Sequence, residues 1–191
     1  MSKIILKNVR CSYVFVEKPR NDKLKKDGTV EKGKYGIQVM LKKDDPQVKE
    51  IRQLQATVAK EKFGNTVKAA MLKLPLRDGD AEREEEHYAN MYFFNSSNSK
   101  KPGIVNKYNV KPTEEDLEEY CFSGAIFHVS LSFYGFDNEG KKGVAVSLKN
   151  VMLREKAERL DNYTAAETDF AEYAEDGADE FSDFSEEDEN W

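Results

Sequence analysis

Between Phe122 and Leu153 apolar and polar residues alternate so regularly that a pair of antiparallel strands is the natural solution. Phe127, Val129, Leu131 and Phe133 fall on one parity and His128, Ser130, Ser132 and Tyr134 on the other. That is the period of a strand with one buried face. The run DNEGKKG, residues 137–143, supplies hairpin-turn residues. Val144, Val146 and Leu148 resume the alternation, and its parity slips at Asn150 before Val151 and Leu153.

Other strand patterns surround this hairpin. Val9, Cys11, Tyr13 and Phe15 alternate with Arg10 and Ser12, while Ile4 and Leu6 lie on the opposite parity. A bend or bulge near Lys7–Asn8 reconciles the two halves. Residues 18–34 form a Lys- and Arg-rich loop, marked by Pro19, Asp27-Gly28 and Gly33. A second strand follows, with Tyr35, Ile37, Val39 and Leu41 on one face and Lys34, Gly36, Gln38 and Met40 on the other. Asp45-Pro46 opens a helix that carries an apolar stripe through Val48, Ile51, Leu54, Ala56 and Val58 and closes at Phe63-Gly64. A second helical stretch spans Thr66–Leu72, and the loop LPLRDGD leads into the acidic segment Glu82–Glu86. Strand signal returns at Tyr88–Phe94 and, after the polar loop NSSNSKKPG, at Ile104-Val105. Thr113 with Asp116 forms a capping box for a short helix ending near Tyr120.

Four or five strands with helices inserted among them predict an α+β chain, mainly β, built as a small antiparallel barrel. Among such barrels the five-stranded oligonucleotide-binding (OB) fold, a Greek-key barrel, fits best. Its ligand-gripping loops would be 18–34 and 137–143, both rich in lysine.

Charge divides the chain in two. Residues 1–160 hold 30 basic and 23 acidic residues; residues 161–191 hold 13 acids and no Lys or Arg. The expected organisation is a basic binding domain over 1–160 and an acidic tail over 161–191, disordered because its charges repel and its aromatics are too few to form a core. Cys11 and Cys121 read as small buried hydrophobes rather than a disulfide or metal pair. The absence of an 18-residue apolar run or a signal-peptide-like start predicts a cytoplasmic protein.

Basic residues interleaved with aromatics suit single-stranded nucleic acid, where cations follow phosphates and rings stack on unpaired bases. The candidate phosphate contacts are Arg10, Lys23, Lys25, Lys26, Lys34, Arg77, Lys100, Lys101, Lys141 and Lys142, and the candidate stacking rings are Tyr13, Tyr35, Tyr92 and Tyr134. Phe127 and Phe133 are assigned to the core. A rival reading makes Asp78, Asp80 and the acids after them a Mg²⁺-dependent nuclease or recombination centre. Those acids are consecutive and splay in several directions, and no general base is evident, so neither catalysis nor a cofactor or metal is expected. In the tail, Phe181, Phe184 and Trp191 are candidate partner-docking residues, and the acids around them can compete with DNA for the basic surface. A third reading makes the tail the active part of an interaction adaptor.

The segments KYGIQVMLKKDD, LPLRDGD, YFFNSSNSKKPGIV and FSGAIFHVSLSFYGFDNEGKKGVAVSLKNV, in this order, resemble a family of phage-encoded single-stranded DNA-binding proteins. The likeness runs from about Val9 to Phe170. It implies an OB fold that coats single strands without sequence preference during phage replication, recombination and repair. The design is also similar to replication binding proteins of short-tailed phages, whose acidic tails recruit replication proteins. Here the tail ends on Trp191 where that design implies Phe. The oligomeric state, including a homo-oligomer, stays open.

Overall fold

The computed structural model describes residues 2–64, 71–138, 140–161 and 171–173. By contact the chain divides into Met1–Asp161 and Asn162–Trp191. Of the second unit only a 3₁₀ turn at Ala171–Tyr173 is described. The acidic tail with Phe181, Phe184 and Trp191, and nearly all of the helix expected at 66–72, lie outside the described residues.

The elements of the body, in chain order, are β1 (Ser2–Phe15), β2 (Lys23–Leu24), β3 (Val30–Glu31), β4 (Tyr35–Lys42), α1 (Pro46–Phe63), β5 (Arg77–Asp78) and α2 (Gly79–Glu82). They continue with β6 (Met91–Asn98), β7 (Gly103–Val105), α3 (Glu114–Tyr120), β8 (Ile126–Asn138) and β9 (Lys141–Glu155). Seven strands form one sheet in the order β5-β6-β4-β1-β8-β9-β7, and β2 and β3 form a separate ribbon.

The closed five-stranded antiparallel barrel is therefore corrected to an open, OB-like mixed sheet. Two segments expected to be loop or isolated strand extend it. Arg77–Asp78 pairs with β6, and Gly103–Val105 runs parallel to β9. No ladder joins β6 to β9 among the described residues. The Asn98 side-chain amide spans that seam instead, donating to Ser147 Oγ at 3.2 Å and to the Leu148 carbonyl at 3.0 Å.

Local chemistry explains where the strands bend. The β1–β8 register shifts between Leu6 and Val9, where Asn8 adopts φ 50°. This is the bulge that the parity change required. A second shift, between Ser12 and Phe15 against β4, puts Tyr13 at φ 49°, a strained conformation for an aromatic residue. In β9 the slip falls at Lys149: Ser130 faces Asn150 while Leu131 faces Leu148. Lys149 and Asn150 are consequently both exposed.

The core lies on one side of the sheet, from Leu6, Val9, Cys11, Ile37, Val39, Leu41 and Phe94 to Phe127, Val129, Leu131, Phe133 and the inward residues of β9. Helix α1 starts on the Asp45 cap, whose side chain accepts from Gln47 N, and stops at Gly64 with φ 62°. It adds Val48, Ile51, Val58 and Ala59 to the core; Ala56, expected in the stripe, is exposed because the buried face follows 48, 51, 55 and 58–59. The capping box of Thr113 and Asp116 forms and starts α3.

The other face of β4 is also covered. Met40, Tyr88 and Phe93 make a second cluster, packed by Met91 and Leu160. Cys11 and Cys121 are free thiols. Burial pushes both thiols up, that of Cys121 to about 12, so both are held protonated.

Candidate nucleic-acid interface

Cross-strand register sorts the candidate residues by face. Arg10 faces Met40, Ser12 faces Gln38, and Gln38 faces Asn95, all away from the main core. Gln38 organises this outer surface: its Oε1 accepts from Ser12 Oγ at 2.9 Å and from the Tyr88 hydroxyl, and its Nε2 donates to Asn95 Oδ1 at 3.1 Å. The Tyr88 hydroxyl is raised above its ordinary pKa, mainly by burial, with a smaller contribution from nearby Tyr13. Tyr13 itself is 46% exposed.

The loop 18–34 folds over this surface as a finger. Its tip is the β2–β3 ribbon, and its base is tied at several points. Arg20 N donates to the Lys34 carbonyl at 3.1 Å and its guanidinium stacks 4.9 Å over Phe15. Asp22 accepts from Lys32 Nζ at 2.7 Å and from Gly33 N at 2.8 Å. These two partners, Lys32 first, hold the Asp22 carboxyl below its ordinary range. Only glycine fits at position 33, since a Cβ there would lie 1.6 Å from the Arg20 carbonyl oxygen.

Between finger and sheet is a cleft of about 210 Å³, lined by Arg20, Asn21, Lys23, Lys34, Asn95 and Ser97 among others. A second cleft, of about 270 Å³, is lined by Lys34, Ser97, Asn98, Ser99, Tyr134, Ser147 and Lys149. Lys34 and Ser97 line both, so the two join into one groove across the β6–β9 seam. Glu31 is the one carboxylate among the described lining residues, and of the lining lysines Lys32 is paired to Asp22 while Lys23, Lys34 and Lys149 make no ion pair among the described residues.

Of the residues expected from sequence, Lys23, Lys34 and Tyr134 line this groove. Lys100 and Lys101 directly follow the lining residue Ser99 and are exposed. Lys25 and Lys26 are exposed on the finger, Lys25 at 3.9 Å from Glu31. Arg10 lies on the same face as the groove but is engaged, donating to the carbonyls of Gly124 at 3.3 Å and Glu158 at 2.9 Å. Gly124 permits that approach: it has φ +115°, and a Cβ would meet the Glu158 carbonyl oxygen at 2.2 Å.

Several others stand apart. Tyr92 pairs with Leu41 on the core side, where Arg52 and Lys43 stack on its ring at 4.9 and 5.2 Å. Tyr35, opposite Asn98, is half-buried on the same parity as Ile37. Arg77 is ion-paired to Glu82 and lies 4.8 Å over Phe93. Lys141 and Lys142 occupy the β8–β9 hairpin, Lys142 at 3.5 Å from Asp137. Arg20, Asn21, Asn95, Ser97, Ser147 and Lys149 were missed. The parity of β9 signals Ser147, but a polar stretch reading as loop hides Asn95 and Ser97.

The rival acidic centre is already occupied by a side chain of the protein. Asp78 and Asp80 grip Lys43 Nζ at 2.5 and 2.7 Å. Their hydrogen bonds raise the Lys43 pKa to about 12, and Lys43 in turn lowers that of Asp80. Among the described residues no group of three or more His, Cys, Asp or Glu is placed to hold a metal ion.

The family described as Enterobacter phage Enc34, ssDNA-binding protein, matches residues 2–182. The chain belongs to that family. Among solved structures, the Enc34 single-stranded DNA-binding protein in complex with ssDNA is similar in fold, with a TM-score of 0.68 at 23% identity over 83% of this chain and 89% of that one. The gp2.5 single-stranded DNA-binding protein of bacteriophage T7 is also similar, with a TM-score of 0.52 at 16% identity over 86% of this chain and 98% of that one. Putative protein p50 of Acyrthosiphon pisum secondary endosymbiont phage 1 is 33% identical over 93 residues, 49% of this chain. That match spans 48%, about half, of the curated relative's length.

Proposed function

We propose that the body of this Enc34-family protein binds single-stranded DNA without sequence preference, along the groove between the finger and the outer face of the sheet. The observation that carries this is the continuity of the two clefts through Lys34 and Ser97. Cations stand along the walls, while amide and hydroxyl side chains line the floor. The cations of such a lining hold phosphates by charge, the part of nucleic-acid binding that does not depend on sequence. Lys23, Lys34 and Lys149 are the leading phosphate contacts, with Lys25, Lys26, Lys100 and Lys101 at the margins. Tyr13 and Tyr134 are the stacking rings.

The body acts as a binder, not a catalyst, in phage replication, recombination and repair in the host cytoplasm. No described helix is long and apolar enough to cross a membrane. The tail competes with DNA for the basic groove and recruits replication or recombination proteins through Phe181, Phe184 and Trp191. Its charge supports the competing role, since 13 acids without a Lys or Arg repeat the sign of a DNA backbone.

Binding of oligo-dT, duplex and RNA across salt concentrations, for the full chain and for a chain ending near Leu160, tests both parts. Single-strand binding steep in salt, and tighter after truncation, is expected. A flat salt response overturns the groove reading; unchanged affinity after truncation overturns the tail's competing role.

A further inference from the structure

The other half of the sheet's outer surface carries an inference that rests on the groove reading. β1, β8 and β9 are neighbours, and their register places Lys3 beside Ser132 and Ser147, Ile5 beside Ser130 and Asn150, and His128 beside Met152. The chain is 35% charged, yet no acid occurs in residues 2–16, 126–136 or 141–154. Lys3, Lys7 and Lys149 are exposed on this surface, and none makes an ion pair among the described residues.

Three further observations point to an anion from outside. The bulge that displaces Lys149 turns it outward together with Asn150. Ser130 Oγ and Arg154 Nε are buried with no hydrogen-bond partner among the described residues, an unmet need that phosphate oxygens can satisfy once the side chains over them move aside. Finally, the surface is continuous with the groove, because Tyr134, Ser147 and Lys149 belong to both.

We propose that this acid-free face is a second phosphate path. A strand leaving the groove at Tyr134 and Lys149 continues across β9 and β8 to Lys3 and Lys7 on β1, so that DNA wraps the sheet rather than ending at its seam. Ile5, 54% exposed between the two lysines, offers an apolar contact for a base.

The double variant K3A/K7A of the full chain tests this with oligo-dT of roughly 6 nucleotides, inside the ~4–16 held by one such fold, and of roughly 30. Expected is unchanged binding of the short oligonucleotide, and for the long one a log–log salt slope smaller by about 1.4, at ~0.7 per lost phosphate contact. The charge-keeping variant K3R/K7R should restore the slope. An unchanged slope with the long oligonucleotide overturns the path. So does loss of short-oligonucleotide binding, or two short oligonucleotides per chain with Lys3 and Lys7 controlling the second. The variant K23A/K34A separates the two readings. If it abolishes binding while K3A/K7A has no effect, only the second path falls. If it leaves both oligonucleotides bound as tightly as before, the groove reading falls and the path with it.

Discussion

Two regions of this molecule look alike in sequence and differ in what their charges do. In the finger–sheet groove, Lys23, Lys34 and Lys149 line the clefts, and none of the three makes an ion pair among the described residues. At the β5 edge, Lys43 lies between Asp78 and Asp80, and Arg77 is held by Glu82. Both combine basic residues with turn-forming glycines, and either could be read as a phosphate site. The first leaves cations available to a ligand; the second satisfies them internally. A basic residue marks a nucleic-acid contact only where the fold withholds its counter-charge.

The largest expected effect comes from emptying the groove. The triple variant K23A/K34A/K149A should lower the salt slope of single-strand binding by about 2 and the affinity by roughly tenfold or more, whereas R77A should change affinity by less than about twofold. Equal losses would erase the distinction between the regions. Filter-binding or anisotropy titrations across salt measure both.

Aromatic residues sharpen the comparison. Y13A should weaken binding by ~1–3 kcal/mol through a lost base stack, with little change in thermal stability. Y92A should do the reverse, lowering Tm while leaving affinity intact, because its ring packs against the core between Arg52 and Lys43. Thermal melts and titrations on the same preparations decide it.

A smaller effect concerns the β5 edge and pH. Asp80 is held below its ordinary 3.8, so its contribution to stability is present above that value and is lost as pH falls through its folded pKa. Lys43 is raised from 10.5 to about 12, so its contribution is complete below 10.5 and is lost as pH rises through about 12. The variant K43M should flatten both flanks of the stability profile without altering DNA binding. Chemical denaturation across pH reads this.

The smallest effect is at His128, whose Nδ1 accepts from Asn8 N at 2.9 Å at the β1 bulge. Burial first, then the charges of Arg154 and Lys7, lowers its pKa below the ordinary 6.5. Its contribution is therefore present above 6.5 and is lost as pH falls through the folded value. H128N should remove that acid-side loss, measurable as a shift in denaturation midpoint between pH 7 and 5.

Sequence alone determined the parts of the protein governed by neighbours along the chain. Alternation placed the β8–β9 hairpin and the core residues Phe127 and Phe133. Broken parity located the bulges near Asn8 and Asn150, and Asp45-Pro46, Gly64 and the Thr113–Asp116 box fixed helix ends. The segment-by-segment resemblance pointed to the family. Tertiary structure decided which residues share a surface. Tyr13 and Tyr92 are equally aromatic and strand-borne, yet the β1 bulge turns Tyr13 into solvent while register puts Tyr92 on the core side. Asn95 and Ser97 read as loop because their partners are distant: Gln38 and Gly36 pair with them only once β4 and β6 are side by side. The short strands β5 and β7, which made the sheet seven-stranded, are likewise held by partners elsewhere in the chain rather than by their own pattern. Whether a lysine is free or neutralised is the same kind of question, because its counter-charge is chosen by the fold and not by its neighbours in sequence.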